Sequence, residues 1–290
     1  MQNIVRELYC INDTETAELN DRGKKILSIE LSLDGFSYCV LDAEKFRYIA
    51  LESFAFEGIK DLNDLCPVLD ETVREKMLLT GSYQRISFAL NTPDVTLVPA
   101  DLFSYTEKNT YLNFNSYIDQ EIETRVDKLN NLSAFAIYAF PKQLLHKINF
   151  LFPACRIRHI STSLIENILY MVRYGRVSPQ LVLHVQKGNF QILHFVGENL
   201  SFYNSYRYQN WDDLFYYLFF VLEQLGLEAE KIDMMLYGEV GIESEFYKKV
   251  KLYFKSFSFG PRSDLYKYSE SFDDIPHHFY YNLLSLNACG

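Results

Sequence analysis

The sequence has few of the residues from which most nucleotide and metal sites are built. Only 12 of its 290 residues are glycine, about 4% against a usual value of about 7%. It contains no G-x-x-x-x-G-K-[ST] phosphate loop, no G-x-G-x-x-G turn and no C-x-x-C pair. Its five cysteines are an odd number, which suggests neither a disulfide framework nor a zinc site.

The sequence also lacks an excess of positive charge and a long apolar run. It has 28 Lys+Arg against 38 Asp+Glu, a net charge of −10, whereas nucleic-acid binders need a positive groove. The longest apolar run covers residues 214–222, well short of the about 20 residues that span a bilayer. No secretory signal is recognisable at the start. We therefore predict a cytoplasmic protein with no membrane span and no nucleic-acid partner.

Aromatic side chains are abundant instead. The chain has 22 Tyr and 23 Phe but a single Trp, and aromatics make up 16% of its residues. Large aromatic side chains dominate burial energetics, so we expect most of them in cores and in seams between subdomains. The length fits two packed domains.

A pattern of three strands followed by helices and single strands occurs twice. Residues 25–31, 36–41 and 48–56 form the first predicted meander, and residues 181–186, 190–196 and 200–206 form the second. Asp34-Gly35 is a strong hairpin signal within the first. The repetition predicts a mixed α/β fold with two related halves.

The remaining apolar residues recur at strand or helix spacing. Further strands are predicted at residues 85–90, 95–98, 121–126, 134–139, 156–160 and 233–237, and helices at about 61–79, 142–151, 161–174, 210–225, 244–253 and 276–286. Ser163 and Glu166 have capping-box spacing, and Asn210 precedes two acids of a first helical turn. We divide the chain into a lead-in segment (1–24), a first half (25–177) with a small inserted subdomain at about 92–132, and a second half (178–290) closed by a C-terminal helix.

In three stretches the order of predicted strands and helices resembles that of a known superfamily. These stretches are residues 95–103 with Tyr111-Leu112, residues 134–168, and residues 181–206. Their pattern is similar to the actin-like ATPase superfamily, whose halves are ribonuclease-H-like. Within it the chain looks most like the actin-like assembly protein of type IV pili, and it also resembles an uncharacterised bacterial family with a degenerate form of the fold. The likeness covers roughly residues 25–290.

The resemblance implies a nucleotide site made of three loops, and each is eroded here. The first loop keeps the acid and one glycine but has Leu33 where a small residue is expected, the second has no carboxylate after its strand, and the third has Glu239 between its glycines. The vestigial cofactor-binding residues implied by this likeness are Glu30, Ser32, Asp34, Gly35, Gly188, Gly238 and Gly241.

These losses predict a pseudo-ATPase. Hydrolysis needs Mg²⁺ and a positioned water held by facing carboxylates, and one side of that pair is missing. We therefore predict no catalytic residue, no metal site and no cofactor, in a protein-binding or scaffold module of unknown process. Two alternatives stay open: a switch or weak ATPase in which Glu30, Gly238 and Gly241 serve ATP and Mg²⁺, and an unrelated two-domain α/β protein.

Two local features carry weaker hypotheses about partners. In the resemblance, the cleft and the inserted region take a peptide from another component, so we expect a protein partner. Lys248, Lys249, Lys251 and Lys255 could dock an acidic partner, although a solvated face is the simpler interpretation. His277-His278 could offer metal ligands, but we interpret it as an ordinary helix start, because adjacent helical residues point apart.

Overall fold

The computed structural model describes residues 4–13, 22–116 and 118–289. Fifteen strands and seven α-helices lie in these ranges. The strands are β1 (Ile4–Asn12), β2 (Lys25–Ser32), β3 (Gly35–Asp42), β4 (Arg47–Glu57), β5 (Arg85–Asn91), β6 (Val95–Pro99), β7 (Ile122–Leu129), β8 (Ala134–Pro141), β9 (Arg156–His159), β10 (Leu181–Gln186), β11 (Asn189–Val196), β12 (Asn199–Arg207), β13 (Asp233–Gly238), β14 (Ser256–Phe259) and β15 (Lys267–Tyr268). The helices are α1 (Leu65–Glu75), α2 (Lys108–Asn113), α3 (Lys142–Leu151), α4 (Ile160–Arg173), α5 (Trp211–Gln224), α6 (Glu245–Tyr253) and α7 (Tyr281–Ser285).

The two large sheets have the same strand order. The first contains the run β4-β3-β2-β5-β9, and the second is β12-β11-β10-β13-β14. In each sheet an antiparallel meander is followed by two parallel strands, with β2 parallel to β5 and β10 parallel to β13. The repeat of the meander is therefore a repeat of the whole sheet.

The small inserted subdomain is larger than predicted. Its three-stranded sheet has the order β6-β8-β7 and so includes Ala134–Pro141, which the boundary at residue 132 left outside. Because β8 pairs with β7 on one side and β6 on the other, the subdomain runs to the end of β8. It also contains the short helix α2, where the aromatic and polar sequence gave no helical pattern.

The predicted lead-in segment contains a strand. β1 pairs antiparallel with β4 and extends the first sheet by one edge strand. Most of its side chains are exposed, which explains why its mixed polar sequence shows no apolar alternation. Residues 14–21 lie outside the described ranges.

The end of the chain returns to the first half, which corrects the boundary of the second half. β15 pairs with β4 in the first sheet, and Phe272, Ile275 and Leu283 pack with Ile26 and Cys39 of that half. The closing helix α7 is only five residues long, shorter than the predicted 276–286. The C-terminal segment thus links the two halves.

Helix boundaries follow local sequence signals, with one correction. α3 covers the predicted residues, and the Asn210 side chain caps α5 in a capping box with Asp213. Helix α4 starts earlier than Ser163: the cap is the His159 ring, which accepts from the Ser161 N–H. Glu166 instead accepts hydrogen bonds from the backbone N–H groups of Asn130 and Asn131 in a neighbouring loop, so the prediction of a capping box from its spacing was wrong.

Most of the described aromatic residues lie in cores and seams, as their number suggested. Tyr48 stacks on Tyr268 at 5.6 Å between ring centroids and joins the C-terminal segment to the first sheet. Phe215 packs against Phe246 at 5.3 Å in the core of the second half. Cys10, Cys39, Cys66 and Cys155 are free thiols. None of the helices in the described ranges has the length and apolar composition needed to cross a bilayer.

Candidate functional site

A cleft of about 280 Å³ lies where the two large sheets meet. The turn between β2 and β3 and the turn between β10 and β11 face each other across it. A Cβ added at Gly188, which has φ +76°, would lie 3.0 Å from Oδ2 of Asp34. A Cβ at Gly35 would lie 2.7 Å from the Phe54 carbonyl oxygen. Glycine is favoured at Gly35 because the Phe54 backbone approaches too closely for a side chain, and at Gly188 because of its positive φ.

Glu30, near the end of β2, is held by two amide side chains. The Gln186 Nε2 donates to Oε1 of Glu30 at 2.6 Å, and the Asn91 Nδ2 donates to the same oxygen at 3.3 Å. The Asn91 Nδ2 also donates to Oε1 of Gln186 at 2.6 Å. Three side chains thus form a ring of hydrogen bonds, which we call the Glu30 ring (Glu30, Asn91 and Gln186).

Burial controls the ionisation of Glu30. Desolvation raises its pKa to about 7, a shift increased by the charge of Glu239 and opposed by the hydrogen bonds from Gln186 and Asn91. A carboxyl group with this pKa exchanges its proton near neutral pH. The Glu30 ring can therefore exist in two charge states under ordinary conditions.

Glu239 follows β13 and enters the cleft from the second half. Its backbone N–H donates to the Val185 carbonyl oxygen at 2.8 Å. The preceding Gly238 has φ +93°, and a Cβ there would lie 1.9 Å from the same oxygen. Only glycine allows this turn, which brings Glu239 to the lining of the cleft.

Carboxylates outnumber cations along the cleft. Glu30, Asp34 and Glu239 line it together with Lys187 and Arg6. Desolvation raises the pKa of Asp34 and of Glu239; Asp34 raises that of Glu239 further, while Lys187 lowers both. The electrostatic environment of the cleft therefore disfavours further negative charge.

The structure brings most of the expected vestigial residues together. Five of them line the cleft: Glu30, Ser32, Asp34, Gly35 and Gly238. Gly188 lies beside Asp34 in an adjoining pocket. Gly241 is not among the cleft-lining residues; its carbonyl oxygen accepts the Ser244 N–H at the start of α6. The hydroxyl of Ser32 is engaged within its own turn, where it accepts the Asp34 N–H at 3.3 Å.

Sequence reasoning missed several residues of the cleft. Asn91 ends β5 beside Ser32 in parallel register, and Asn282 reaches the cleft from the C-terminal segment. Asn91 could have been predicted as a cleft residue, because it is a polar residue at the end of a buried strand that pairs with the strand of Glu30. No local signal marks Asn282, because its contact with the cleft depends on the return of the C-terminal segment.

His184 and His278 are held by groups of the protein itself. His278 stacks on Phe259 at 3.8 Å between ring centroids, and its Nε2 bonds the Val240 carbonyl oxygen at 2.8 Å. Burial lowers the pKa of His184 to about 3, and its Nε2 lies 3.1 Å from the Asn282 amide. Both residues are buried, and His184 also lines the cleft.

Within the described ranges, one group of three potential metal ligands has its ligand atoms within 4.8 Å of one another: Glu7, Cys10 and Glu52. It lies on β1 and β4, outside the cleft. Lys76 is close to both acids there, at 3.2 Å from Glu7 and 2.8 Å from Glu52. The lysine ammonium therefore supplies the positive charge at this position.

The basic stretch on α6 is paired with acids of its own chain. Lys249 lies 2.5 Å from Asp212, and Lys255 forms an ion pair with Glu230. Lys248 is 3.9 Å from Glu243, and Lys251 lies over the Tyr247 ring. These pairs favour the solvated face over a docking site for an acidic partner.

The family described as "Protein of unknown function (DUF3822)" matches residues 14–257. The chain belongs to this family. Curated proteins contain no match to the sequence.

Three solved structures are similar to this DUF3822 member. A Bacteroides thetaiotaomicron protein with actin-like ATPase fold and unknown function has a TM-score of 0.74 and 22% identity, covering 84% of this chain and 93% of that one. The PilM-PilN type IV pilus biogenesis complex has a TM-score of 0.61 and 10% identity, covering 92% of this chain and 99% of that one. The ethanolamine utilization protein EutJ from Carboxydothermus hydrogenoformans has a TM-score of 0.50 and 7% identity, covering 97% of this chain and 92% of that one. The fold of the DUF3822 member is therefore the actin-like ATPase fold, as the sequence resemblance implied.

Proposed function

We propose that this protein is a non-catalytic member of the actin-like fold, in which the cleft no longer supports nucleotide hydrolysis and the chain acts by binding another protein. The observation that carries the proposal is the Glu30 ring. The Glu30 oxygen that faces the second half accepts hydrogen bonds from Gln186 and Asn91. Nucleotide hydrolysis would need a second carboxylate facing Glu30. The chain has the neutral amides of Gln186 and Asn91 there instead.

The residues present do not fit a magnesium-bound nucleotide. Mg²⁺ in phosphoryl transfer is bound through carboxylates and substrate phosphates. In the described part of the cleft, no three His, Cys, Asp or Glu ligand atoms lie within 4.8 Å of one another. Phosphates entering the cleft would also meet Asp34 and Glu239. Both considerations oppose hydrolysis.

The test is phosphate release from Mg-ATP by the purified protein. We expect no release above the buffer control, with or without Mg²⁺. Mg²⁺-dependent release that is abolished by Glu30→Ala would overturn the proposal. A thermal-unfolding scan with millimolar Mg-ATP separates binding from turnover, since a ligand at about a hundred times its dissociation constant adds roughly 2.7 kcal/mol. A saturable shift without release would favour the alternative, a nucleotide-binding switch.

Protein binding is supported by the inserted subdomain. Its connection between β6 and β7 exposes three large apolar side chains: Leu102, Tyr105 and Phe114 are 70%, 65% and 81% exposed. Exposed apolar and aromatic residues are common anchors of protein interfaces. The similar structure of PilM was determined as a complex with PilN, so this fold accommodates a protein partner.

Comparative affinity capture tests the partner surface. The wild-type chain, Phe114→Glu and the matched control Phe150→Glu would be used as baits, because Phe150 is also strongly exposed (73%) but lies on α3. We expect one protein to be enriched by the wild type and by Phe150→Glu and lost with Phe114→Glu. Equal enrichment by all three baits would exclude this surface.

A further inference from the structure

The connection between β6 and β7, residues 100–121, is a folded unit that rests on the small sheet. Phe103 stacks on Phe135 of β8 at 4.1 Å between ring centroids. The Tyr111 hydroxyl donates to the Leu102 carbonyl oxygen at 2.7 Å, which ties the start of the connection to α2. The three exposed apolar side chains of this connection are therefore presented by ordered structure, and such order lowers the entropy cost of binding.

The same connection carries a concentrated negative charge. It contains a single lysine and four acids, all four of them exposed: Asp101, Glu107, Asp119 and Glu121. None of these acids forms an ion pair with any residue that the structure describes. The lysine, Lys108, points to β7, where its Nζ donates to the Thr124 carbonyl oxygen at 2.7 Å. The carboxylates around the exposed apolar side chains thus lack counter-charges from their own chain.

Acids on the second half are neutralised differently. Lys249 lies 2.5 Å from Asp212 at the start of α5, and Lys231 lies 2.7 Å from Glu228 after that helix. The absence of such pairs around the β6–β7 connection is therefore a local property and not only a result of the acidic composition. A partner that complements this surface must bring both apolar side chains and cations.

A second copy of the chain does not meet this requirement. A two-fold contact brings the same surface of both subunits together, so the four acids of one connection would face those of the other. Like charges across an interface are unfavourable. An anionic membrane surface is disfavoured for the same reason, since it attracts basic segments.

We propose that the β6–β7 connection binds a cationic amphipathic segment of a partner protein, in which Lys or Arg side chains flank large apolar ones. The apolar side chains of the partner pack on Leu102, Tyr105 and Phe114, and its cations pair with the four acids. This inference rests on the proposed function for the position of the partner surface, and it adds the charge and polarity of the partner.

Two capped model peptides test the sign of the charge. Both have about 14 residues, long enough for a helix, with leucine on one face and either lysine or glutamate on the other. Fluorescence anisotropy would measure their binding to the purified full chain. We expect saturable binding of the Leu/Lys peptide and about tenfold weaker binding of the Leu/Glu peptide. Added salt should weaken the Leu/Lys complex, because its ion pairs are screened.

Matched charge variants locate the site, because an acidic protein attracts cations to many places. The double variant Glu107→Gln/Glu121→Gln removes two charges from the connection, and Glu198→Gln/Glu223→Gln removes two from exposed positions outside it. We expect the first to weaken Leu/Lys binding about tenfold. The second should change it less than about twofold, since isolated exposed charges contribute little.

The apolar part of the surface is tested with Phe114→Ser. We expect this change to weaken the Leu/Lys peptide about tenfold, as for a central aromatic anchor. The control Phe150→Ser removes a ring that is 73% exposed on α3 and should leave the affinity unchanged. Sedimentation of the wild type and of Phe114→Ser checks for a second copy at the same surface, and we expect monomers of both.

The inference is overturned if the Leu/Lys peptide does not bind, if the Leu/Glu peptide binds as well, if the two double variants have the same effect, or if the chain is a dimer that Phe114→Ser dissociates. Capture of a Phe114-dependent partner without Leu/Lys binding would leave the proposed function standing and refute this inference alone. Phosphate release from Mg-ATP would refute the proposed non-catalytic role whatever the peptides do.

Discussion

The Gln186 amide donates a 2.6 Å hydrogen bond to the Glu30 carboxylate, and this bond joins the second half of the chain to the first. Both residues lie near the ends of central strands, β10 and β2, in sheets of the same order. The duplication therefore places a buried acid opposite a neutral amide at the centre of the molecule.

The first prediction concerns Glu30 and pH. Its pKa is raised from 4.5 to about 7 in the folded protein, so the unfolded chain loses this proton first as pH rises. The group therefore lowers stability progressively between about pH 4.5 and 7, by about 3 kcal/mol above pH 7. We expect Glu30→Gln to raise the unfolding free energy at pH 8 and to change it little at pH 4.5.

Chemical denaturation across this pH range measures the effect. The exposed Glu243→Gln serves as the control, since it removes a carboxylate outside the cleft. Equal effects of Glu30→Gln at both ends of the range would contradict a raised pKa and point to a purely geometric role of the side chain.

The second prediction concerns the buried cap of α4. Burial lowers the pKa of His159 from 6.5 to about 3, and its ring bonds the Thr92 carbonyl oxygen at 3.0 Å. The stability that depends on the neutral ring is present above pH 6.5 and is lost as pH falls toward 3. We expect His159→Asn, which keeps a capping side chain, to lower stability at pH 7 and to reduce its loss on acidification.

Unfolding midpoints between pH 4 and 7 test this expectation. His277→Asn is the matched control, because His277 is exposed and lies in the C-terminal segment, away from the start of α4. If His159→Asn and the wild type lose stability in parallel as pH falls, the acid sensitivity arises elsewhere.

How much of this arrangement the sequence predicts depends on the range of the interactions. The Asn210 cap and helix α3 depend on neighbouring residues and match their predictions. The bond between Gln186 and Glu30 spans 156 positions, and no local pattern contains it. The superfamily resemblance implied a loop after the strand at 181–186, but the hydrogen bond of Gln186 follows only from the packed sheets.

Exposure explains the other missed elements. β1 is an edge strand with few buried side chains, and β15 is two residues long, so neither leaves an alternating apolar pattern. The cleft residue Asn282 depends in turn on the C-terminal segment, whose path across the first sheet is determined by Tyr48, Phe272 and Leu283.

The third prediction concerns the turn that carries Glu239. Gly238→Ala would place a Cβ 1.9 Å from the Val185 carbonyl oxygen at φ +93°, so the backbone must move. We expect a loss of on the order of 3 to 4 kcal/mol. Gly226→Ala is the control, because Gly226 has φ +67° with nothing within 4 Å of its Cβ position, and should cost about 1 kcal/mol. Similar losses for both, measured by urea denaturation, would refute the steric explanation.

The fourth prediction restores a second carboxylate to the cleft. Gln186→Glu removes the amide that donates to Glu30 and places a like charge beside it. We expect the unfolding midpoint at pH 8 to fall by several degrees, because like charges in a buried site repel. Millimolar Mg²⁺ should recover part of this loss, since a divalent cation can bridge two carboxylates. Gln120→Glu adds the same charge at an exposed position and should respond to Mg²⁺ as the wild type does. If Mg²⁺ shifts all three proteins equally, the Glu30 ring does not occupy the position of a metal site, and the explanation of lost hydrolysis through Gln186 fails.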